Sequence, residues 1–237
     1  VPYEKNYPGY VRPNTLATAV SAGWIWEIPL QNRRAWGYVH SSQFVDKDAA
    51  ERELREFIGS PADDSSANFV PFRVGYRAKA WVKNCIAIGL SAGFVEPLES
   101  TGLYLSDLAT VMLTEHFPHH GDMAPLAYRY NRIIADRFHD ILDFINLHFC
   151  LTQRTDSEYW REVQNPERIN PRLQAKLDYW RLKPPSMSLL LIWIPSGRVM
   201  PFLRIRKALI SFVSGTRPRS IGWTRAVTLS QLFGQTH

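Results

Sequence analysis

Gly89-Leu-Ser-Ala-Gly-Phe-Val-Glu-Pro-Leu-Glu-Ser-Thr-Gly102 lies between an apolar run, Trp81 to Ile88, and a helical pattern, Leu103 to Phe117. A strand ending at a glycine, a loop of small residues and a helix start together place backbone N–H groups at the carboxyl edge of a sheet, where anions and cofactors bind. Asn84 to Ile88 is apolar enough to predict a central strand buried on both faces. Gly89 and Gly93 let the backbone approach a bound group, and Pro97 stiffens the middle of the loop. Glu99 precedes Ser100, Thr101 and Gly102, whose amides sit at the positive end of the helix dipole. A carboxylate beside an anion-binding helix start is an unusual pairing. Spacing alone leaves two readings open: Glu99 takes part in chemistry, or it caps the helix while Glu96 is solvated.

Upstream, Gly23 to Leu30 reads as a strand with Trp24, Trp26, Ile28 and Leu30 on one face. Gln31 to Arg34 is a polar turn, and Ala35 to Ser42 returns as the second strand of a hairpin. The small residues of Pro13 to Ala22 suit close packing against a neighbouring element. Asp46 to Gly59 is predicted as a helix, with Asp at the start, Ala50, Leu54, Phe57 and Ile58 on one face, and Gly59 as the stop. Ser60 to Ala67 is a Pro/Asp/Ser loop. Asn68 to Trp81 alternates apolar and basic residues, which predicts a strand pair whose Arg73, Arg77 and Lys79 face outward or toward a cofactor, solvated side chains being the simpler reading for most of them. Downstream, Leu126 to Leu151 is the longest helical pattern, with Tyr130, Ile133, Ile134, Phe138, Ile141, Ile145 and His148 on its stripe. That makes His148 a core histidine. Another helix is expected after Pro171. His116, His119 and His120 lack a carboxylate placed to complete a metal site, so no metal is expected.

Asn84 to Gly102 resembles the active-site segment of flavin-dependent tryptophan halogenases. Gly23-Trp-Ile-Trp-Glu-Ile-Pro29 matches that family's GWxWxIP signature. Tyr130-Asn-Arg132, Asp143-Phe-Ile-Asn-Leu-His148, Thr152-Gln-Arg-Thr-Asp156 and Trp160 resemble it in the same order, so the likeness runs from about Pro13 to Pro185. Several matches in one order are far more specific than any single motif.

The resemblance implies an α/β (α+β) fold: part of an FAD-binding, monooxygenase-like architecture with antiparallel hairpin strands and a mainly helical C-terminal half. It implies reduced FAD supplied by a separate flavin reductase, oxygen activation on that flavin, and capture of the oxygen by chloride or bromide. The hypohalous acid then reaches a lysine that directs the halogen at an electron-rich arene such as tryptophan. By matching positions, Thr101 and Gly102 cradle the halide, and Glu99 sits opposite the lysine as general base and electrostatic stabiliser. Leu90 and Leu103 line the flavin ring, together with Gly89 and Gly93. Trp24 and Trp26 wall the reactive centre; for at least one of them, a place in the core is the simpler reading. The other reading of the same likeness is a flavin monooxygenase relative without halide chemistry. The sequence has no Gly-x-Gly-x-x-Gly after a strand, and no segment matching the one that carries the lysine. The expectation is a piece of a longer enzyme that does not halogenate alone.

With 45% hydrophobic and 21% charged residues, the chain reads as globular. Cys85 and Cys150 form no cysteine framework, which makes a reducing cytoplasm the default. No run is long enough to span a membrane, and Val1 to Tyr10 lacks a signal-peptide core. The net charge of +6 is uneven. After Asp178 there is no acidic residue and there are 9 basic ones, so the rest carries 28 − 9 = 19 positive charges against 22 negative. Such an end reads as a nucleic-acid or lipid-binding module, an ordinary domain of eccentric composition, or an out-of-frame translation. The last is favoured, because the likeness and the acidic residues stop at nearly the same place. Neither a nucleic-acid nor a membrane partner is expected. The expected divisions are residues 1–117 (partial flavin-binding core), 118–185 (helical) and 186–237 (basic end).

Overall fold

The computed structural model describes Val1 and residues 11–59, 62 and 65–183. The basic end at 186–237, with the apolar run Leu189 to Ile194, lies outside the described residues, as do most of Val1 to Tyr10 and part of the Ser60 to Ala67 loop. The architecture is mixed α/β, with antiparallel strands and a helical C-terminal half. The chain divides into two compact units: Val1–Phe69 with the segment from Phe149 onward, and Val70–His148. The boundary expected at 117/118 falls inside the second unit.

In the first unit, three antiparallel strands lie in the order β1 (Leu16–Val20), β2 (Gly23–Pro29), β3 (Arg34–His40). The β2–β3 hairpin is as expected. The sequence reading missed β1, because Leu-Ala-Thr-Ala-Val has little of the bulk that marks a strand. Its alanines sit opposite the tryptophans, Ala17 against Trp26 and Ala19 against Trp24. Ile25 is buried on the opposite face of β2, whereas Ile28 reaches the surface at 36% exposure. Helix α1 (Lys47–Ile58) starts where expected: Asp46 accepts a hydrogen bond from the Ala49 amide, and Gly59 ends the helix at φ 81°. Its buried residue is Ala50, while Phe57 is exposed and does not join the apolar face expected of it.

Polar contacts lock this unit. The Tyr38 hydroxyl donates to Glu53 Oε2 (2.9 Å) and accepts from the Ala22 amide (3.1 Å), and the Ser21 hydroxyl also donates to Glu53 (2.6 Å). Burial pushes the Tyr38 phenol up to about 12. Arg154 Nη1 donates to the Ala19 carbonyl (2.6 Å) and Trp160 Nε1 to the Val20 carbonyl (2.7 Å). The Arg154 guanidinium also lies 5.0 Å from the centre of the Trp160 ring. Edge strand β1 is therefore covered by side chains rather than left open. The short helix α4 (Glu158–Glu162) that carries Trp160 was not read from sequence, and α5 (Pro171–Leu182) was.

The second unit corrects two expectations. Asn68 to Trp81 is not a strand pair: its strand residues are β4 (Gly75–Tyr76) and the first residue of β5 (Trp81–Val82), and bends at Ala78 and Ala80 separate them. Asn84 to Ile88 is not a buried central strand either. Lys83 turns the chain at φ 54°, so β6 (Cys85–Ile86) folds back on β5, and Val82 and Cys85 are exposed. β4 pairs instead with β7 (Gly93–Phe94).

Helices α2 (Thr101–Glu115) and α3 (Ala124–Cys150) supply the core of this unit. The expected stripe of α3 is buried at Tyr130, Ile134, Phe138, Ile141 and Ile145, and Tyr76 stacks on Phe138 with ring centres 4.8 Å apart. His148 Nδ1 lies 2.8 Å from the Phe144 carbonyl, and burial holds its pKa below the ordinary histidine value. It is a half-buried histidine whose Nδ1 has a backbone partner. Asn131 carries an unpredicted role: its Oδ1 accepts from the Trp81 amide (2.7 Å) and its Nδ2 donates to the Trp81 carbonyl (2.9 Å).

Candidate active site

The stretch from Gly89 to Gly102 is built of tight turns rather than a strand-to-helix edge. Gly89–Ser91 is a 3-10 turn closed by Ser91, whose hydroxyl accepts from the Ile88 amide (3.1 Å) and lies 2.8 Å from the Ile88 carbonyl. Gly93 is committed to packing, since a Cβ there would meet Tyr76 Cβ at 2.6 Å. Gly89 has φ +64° and faces Ser106 of α2. After Pro97 comes a second 3-10 turn, Leu98–Ser100, with Leu98 buried.

Glu99 and Ser100 both adopt left-handed backbone conformations, φ 54° and ψ 26° for Glu99 and φ 57° and ψ 29° for Ser100. Non-glycine residues in this region cost about 1–3 kcal/mol each and persist only where their surroundings impose them. Thr101 supplies that constraint: it is buried at 1% exposure, and its hydroxyl donates to the Glu96 carbonyl (2.9 Å) across the turn. Ser100 stands at the N-cap of α2 without a side-chain capping bond, so the turn spends no hydroxyl on the first helical amides. At Gly102 a Cβ would meet nothing within 4 Å, leaving the helix start open on that side.

Glu99 is half-buried, and desolvation raises its pKa above the ordinary glutamate value. It does not cap α2, whose N-cap is Ser100. The arrangement thus combines an open helix start, with amides at Thr101 and Gly102, and a half-buried carboxyl on the residue directly before the N-cap. Such a carboxyl can take a proton from a neighbouring group more readily than a solvated one. Leu90 and Leu103 are 78% and 74% exposed, apolar side chains free to lie against a flat ring.

Trp24 and Trp26 belong to the first compact unit, and Glu99, Thr101 and Gly102 to the second. Trp24 is a core residue at 7% exposure, whereas Trp26 stays half-buried. The motif residues Asn131, Arg154 and Trp160 hold backbone in place. Sequence reasoning had no signal for these roles beyond their place in the motifs. Among the described residues, no three His, Cys, Asp or Glu side chains are grouped to hold a metal ion, and His116 Nδ1 lies 2.9 Å from the Met112 carbonyl.

The chain belongs to the tryptophan halogenase family, whose sequence profile matches residues 2–199. That match reaches past Pro185, so family likeness and acidic residues do not end together. The chain is 40% identical over 177 residues to tryptophan 6-halogenase SttH of Streptomyces toxytricini, covering 74% of this chain and 34% of that protein. It is 42% identical over 181 residues to tryptophan 7-halogenase RebH of Lentzea aerocolonigenes, covering 76% and 34%. The SttH crystal structure superposes with a TM-score of 0.72 at 39% identity, over 76% of this chain and 35% of that one. A tryptophan halogenase from Shewanella frigidimarina superposes with a TM-score of 0.74 at 29% identity, over 98% and 48%. The chain spans about a third of the length of the curated relatives it matches.

Proposed function

We propose that this chain forms part of a flavin-dependent halogenase acting on an electron-rich arene such as tryptophan, and that Glu99, Thr101 and Gly102 are its reactive cluster. The observation that carries this reading is the strained Glu99–Ser100 turn, which sets a half-buried glutamate immediately before an open helix start. When bound, reduced FAD supplies the activated oxygen that oxidises a halide. The amides of Thr101 and Gly102 hold chloride or bromide at the positive end of α2. The Thr101 hydroxyl keeps the turn closed by its bond to Glu96. Glu99 accepts the proton lost from the arene and steadies positive charge on the ring. The residues fit a flavin: Gly102 leaves open space, and Leu90 and Leu103 present unpacked apolar surface. A separate flavin reductase is the partner.

The test is a chimera in which this chain replaces the matching third of SttH, assayed with a flavin reductase, halide and tryptophan. Halogenated tryptophan, lost in Glu99→Gln, supports the reading. A folded, flavin-binding chimera giving oxygenated product or peroxide regardless of halide overturns it in favour of a monooxygenase relative.

A further inference from the structure

Tyr76 stands in β4, where its register partner is Gly93, inside the stretch that carries Glu99, Thr101 and Gly102. Its ring lies flat on Phe138 of α3, with centres 4.8 Å apart and planes 10° from parallel. Its hydroxyl lies 2.7 Å from Nε2 of His139. Both partners are half-buried, and all of these residues belong to the second compact unit. With the imidazole proton on Nδ1, the phenol donates to Nε2. An imidazole nitrogen can take that proton outright, which a carbonyl oxygen cannot. Tyr130 has the weaker arrangement, its hydroxyl reaching the Ala109 carbonyl at 3.5 Å. Tyr38 has a carboxylate partner in Glu53, but Ser21 already donates to that carboxylate through its amide (3.0 Å) and its hydroxyl (2.6 Å), and the pair lies in the other unit.

We infer that Tyr76 and His139 form a redox-active pair that gives up one electron to a strong one-electron oxidant. A phenol that loses an electron and keeps its proton becomes a cation in half-buried surroundings, which is costly. Here the oxidant takes one electron from the Tyr76 ring and is itself reduced by one. The Oη–H bond breaks in the same step and its proton moves to Nε2 of His139, which acts as the general base. The products are a neutral Tyr76 phenoxyl radical and a His139 imidazolium. A thiol or ascorbate then returns a hydrogen atom to Oη, and His139 releases its proton to solvent. The task of the pair rests on the reading of this chain as part of an oxygen-activating halogenase. Hydroxyl, peroxyl and halogen radicals that stray from such chemistry are the oxidants, and the pair intercepts them before they damage Trp81, the tryptophan of the same unit.

The experiment uses the 237-residue chain with flash-generated tris(bipyridyl)ruthenium(III) as the oxidant, and reads tyrosyl radical by optical absorption and by EPR of chain carrying deuterated tyrosine. Radicals on the exposed Tyr128 and Tyr179 couple between chains and vanish, whereas the stacked, half-buried Tyr76 radical persists. Tyr76→Phe removes the persistent signal, and a signal that survives this change overturns the pair. His139→Gln separates proton acceptance from packing, because an amide oxygen still accepts the phenol hydrogen bond but does not take the proton. It slows formation of the persistent radical by roughly a hundredfold, the scale of general-base assistance. An unchanged rate in folded His139→Gln makes the histidine merely structural and overturns the pair. If either variant fails to fold, the wild-type chain decides: the radical forms more slowly in deuterium oxide when the proton moves with the electron, and equal rates in the two solvents overturn the proposal. The protective task is read separately, by mass spectrometry after radiolysis in bromide solution. Tyr76→Phe gains oxidised Trp81 over the wild type, and equal oxidation overturns the task while the pair stands. An SttH chimera that gives no halogenated tryptophan overturns the halogenase reading and leaves the radical chemistry of the pair as measured.

Discussion

Replacing Asn131 by alanine removes a side chain that completes the backbone of a strand. Its amide exchanges two hydrogen bonds with Trp81, at 2.7 and 2.9 Å, much as a neighbouring strand does. Trp81 is 3% exposed, so water reaches the freed N–H and C=O poorly. Two bonds at about 0.5–1.5 kcal/mol each give about 1–3 kcal/mol, and the burial of Trp81 places the loss in the upper half, about 2–3 kcal/mol. With urea slopes of about 1–3 kcal/mol/M, the midpoint falls by roughly 0.7–3 M. The damage centres on the β5–β6 hairpin, where Trp81 also stacks edge-on against Tyr130 and donates through Nε1 to the Lys83 carbonyl. Asn131→Asp keeps the acceptor for the Trp81 amide but aims a carboxylate at the Trp81 carbonyl, and it loses at least as much. Urea unfolding and hydrogen exchange at the Trp81 amide measure both variants. A loss below about 0.5 kcal/mol, or unchanged protection of that amide, refutes the strand-completing role.

Glu99 gives a pH signature. Its folded-state pKa is raised from 4.5 by burial, so between that value and the raised one the native state holds more protons than the unfolded state. Stability therefore falls as pH rises through that window, and Glu99→Gln flattens this part of the profile; 13C NMR titration should find Glu99 protonating above its solvent-exposed counterparts. Arg154→Lys loses the fork that joins the Ala19 carbonyl to Asp156 and the stacking on Trp160, lowering stability by about 1–2 kcal/mol. Thermal melts that place the lysine variant level with the wild type would sink that account. Among the thiols, exposed Cys85 reacts quickly with a disulfide reagent, whereas burial pushes Cys150 up to about 11 and it reacts only on unfolding. Two equally fast thiols in the native chain contradict this.

Helices were legible because their signals are local. Asp46 and Gly59 bracket α1, and a stripe at helical spacing marks α3 along its whole length. The β2–β3 hairpin was legible from its tryptophans and polar turn. Strand β1 was not, because its alanines acquire meaning only opposite Trp24 and Trp26. The apolar run Trp81 to Ile88 misled for another reason. Hydrophobicity reports that surface prefers cover, but not that a left-handed Lys83 will fold the run onto itself. At the candidate site, the sequence pointed to Glu99, Thr101 and Gly102 through spacing and likeness. The left-handed pair at Glu99 and Ser100 and the Thr101–Glu96 bond stayed hidden, since backbone dihedrals at a turn of ordinary residues leave no mark in composition.

The fastening of β1 sets an order of events during synthesis. The residues that cover its outer edge, Arg154 and Trp160, follow their partners by 135 and 140 positions. At translation speeds of about 5–20 residues per second, a nascent β1–β2–β3 sheet waits roughly 7–28 s with that edge bare. A valine-rich edge held open for so long invites pairing with other nascent chains. Ala17 and Ala19 present a poor template for such capture, so the small side chains that make room for two tryptophans also protect the half-made protein.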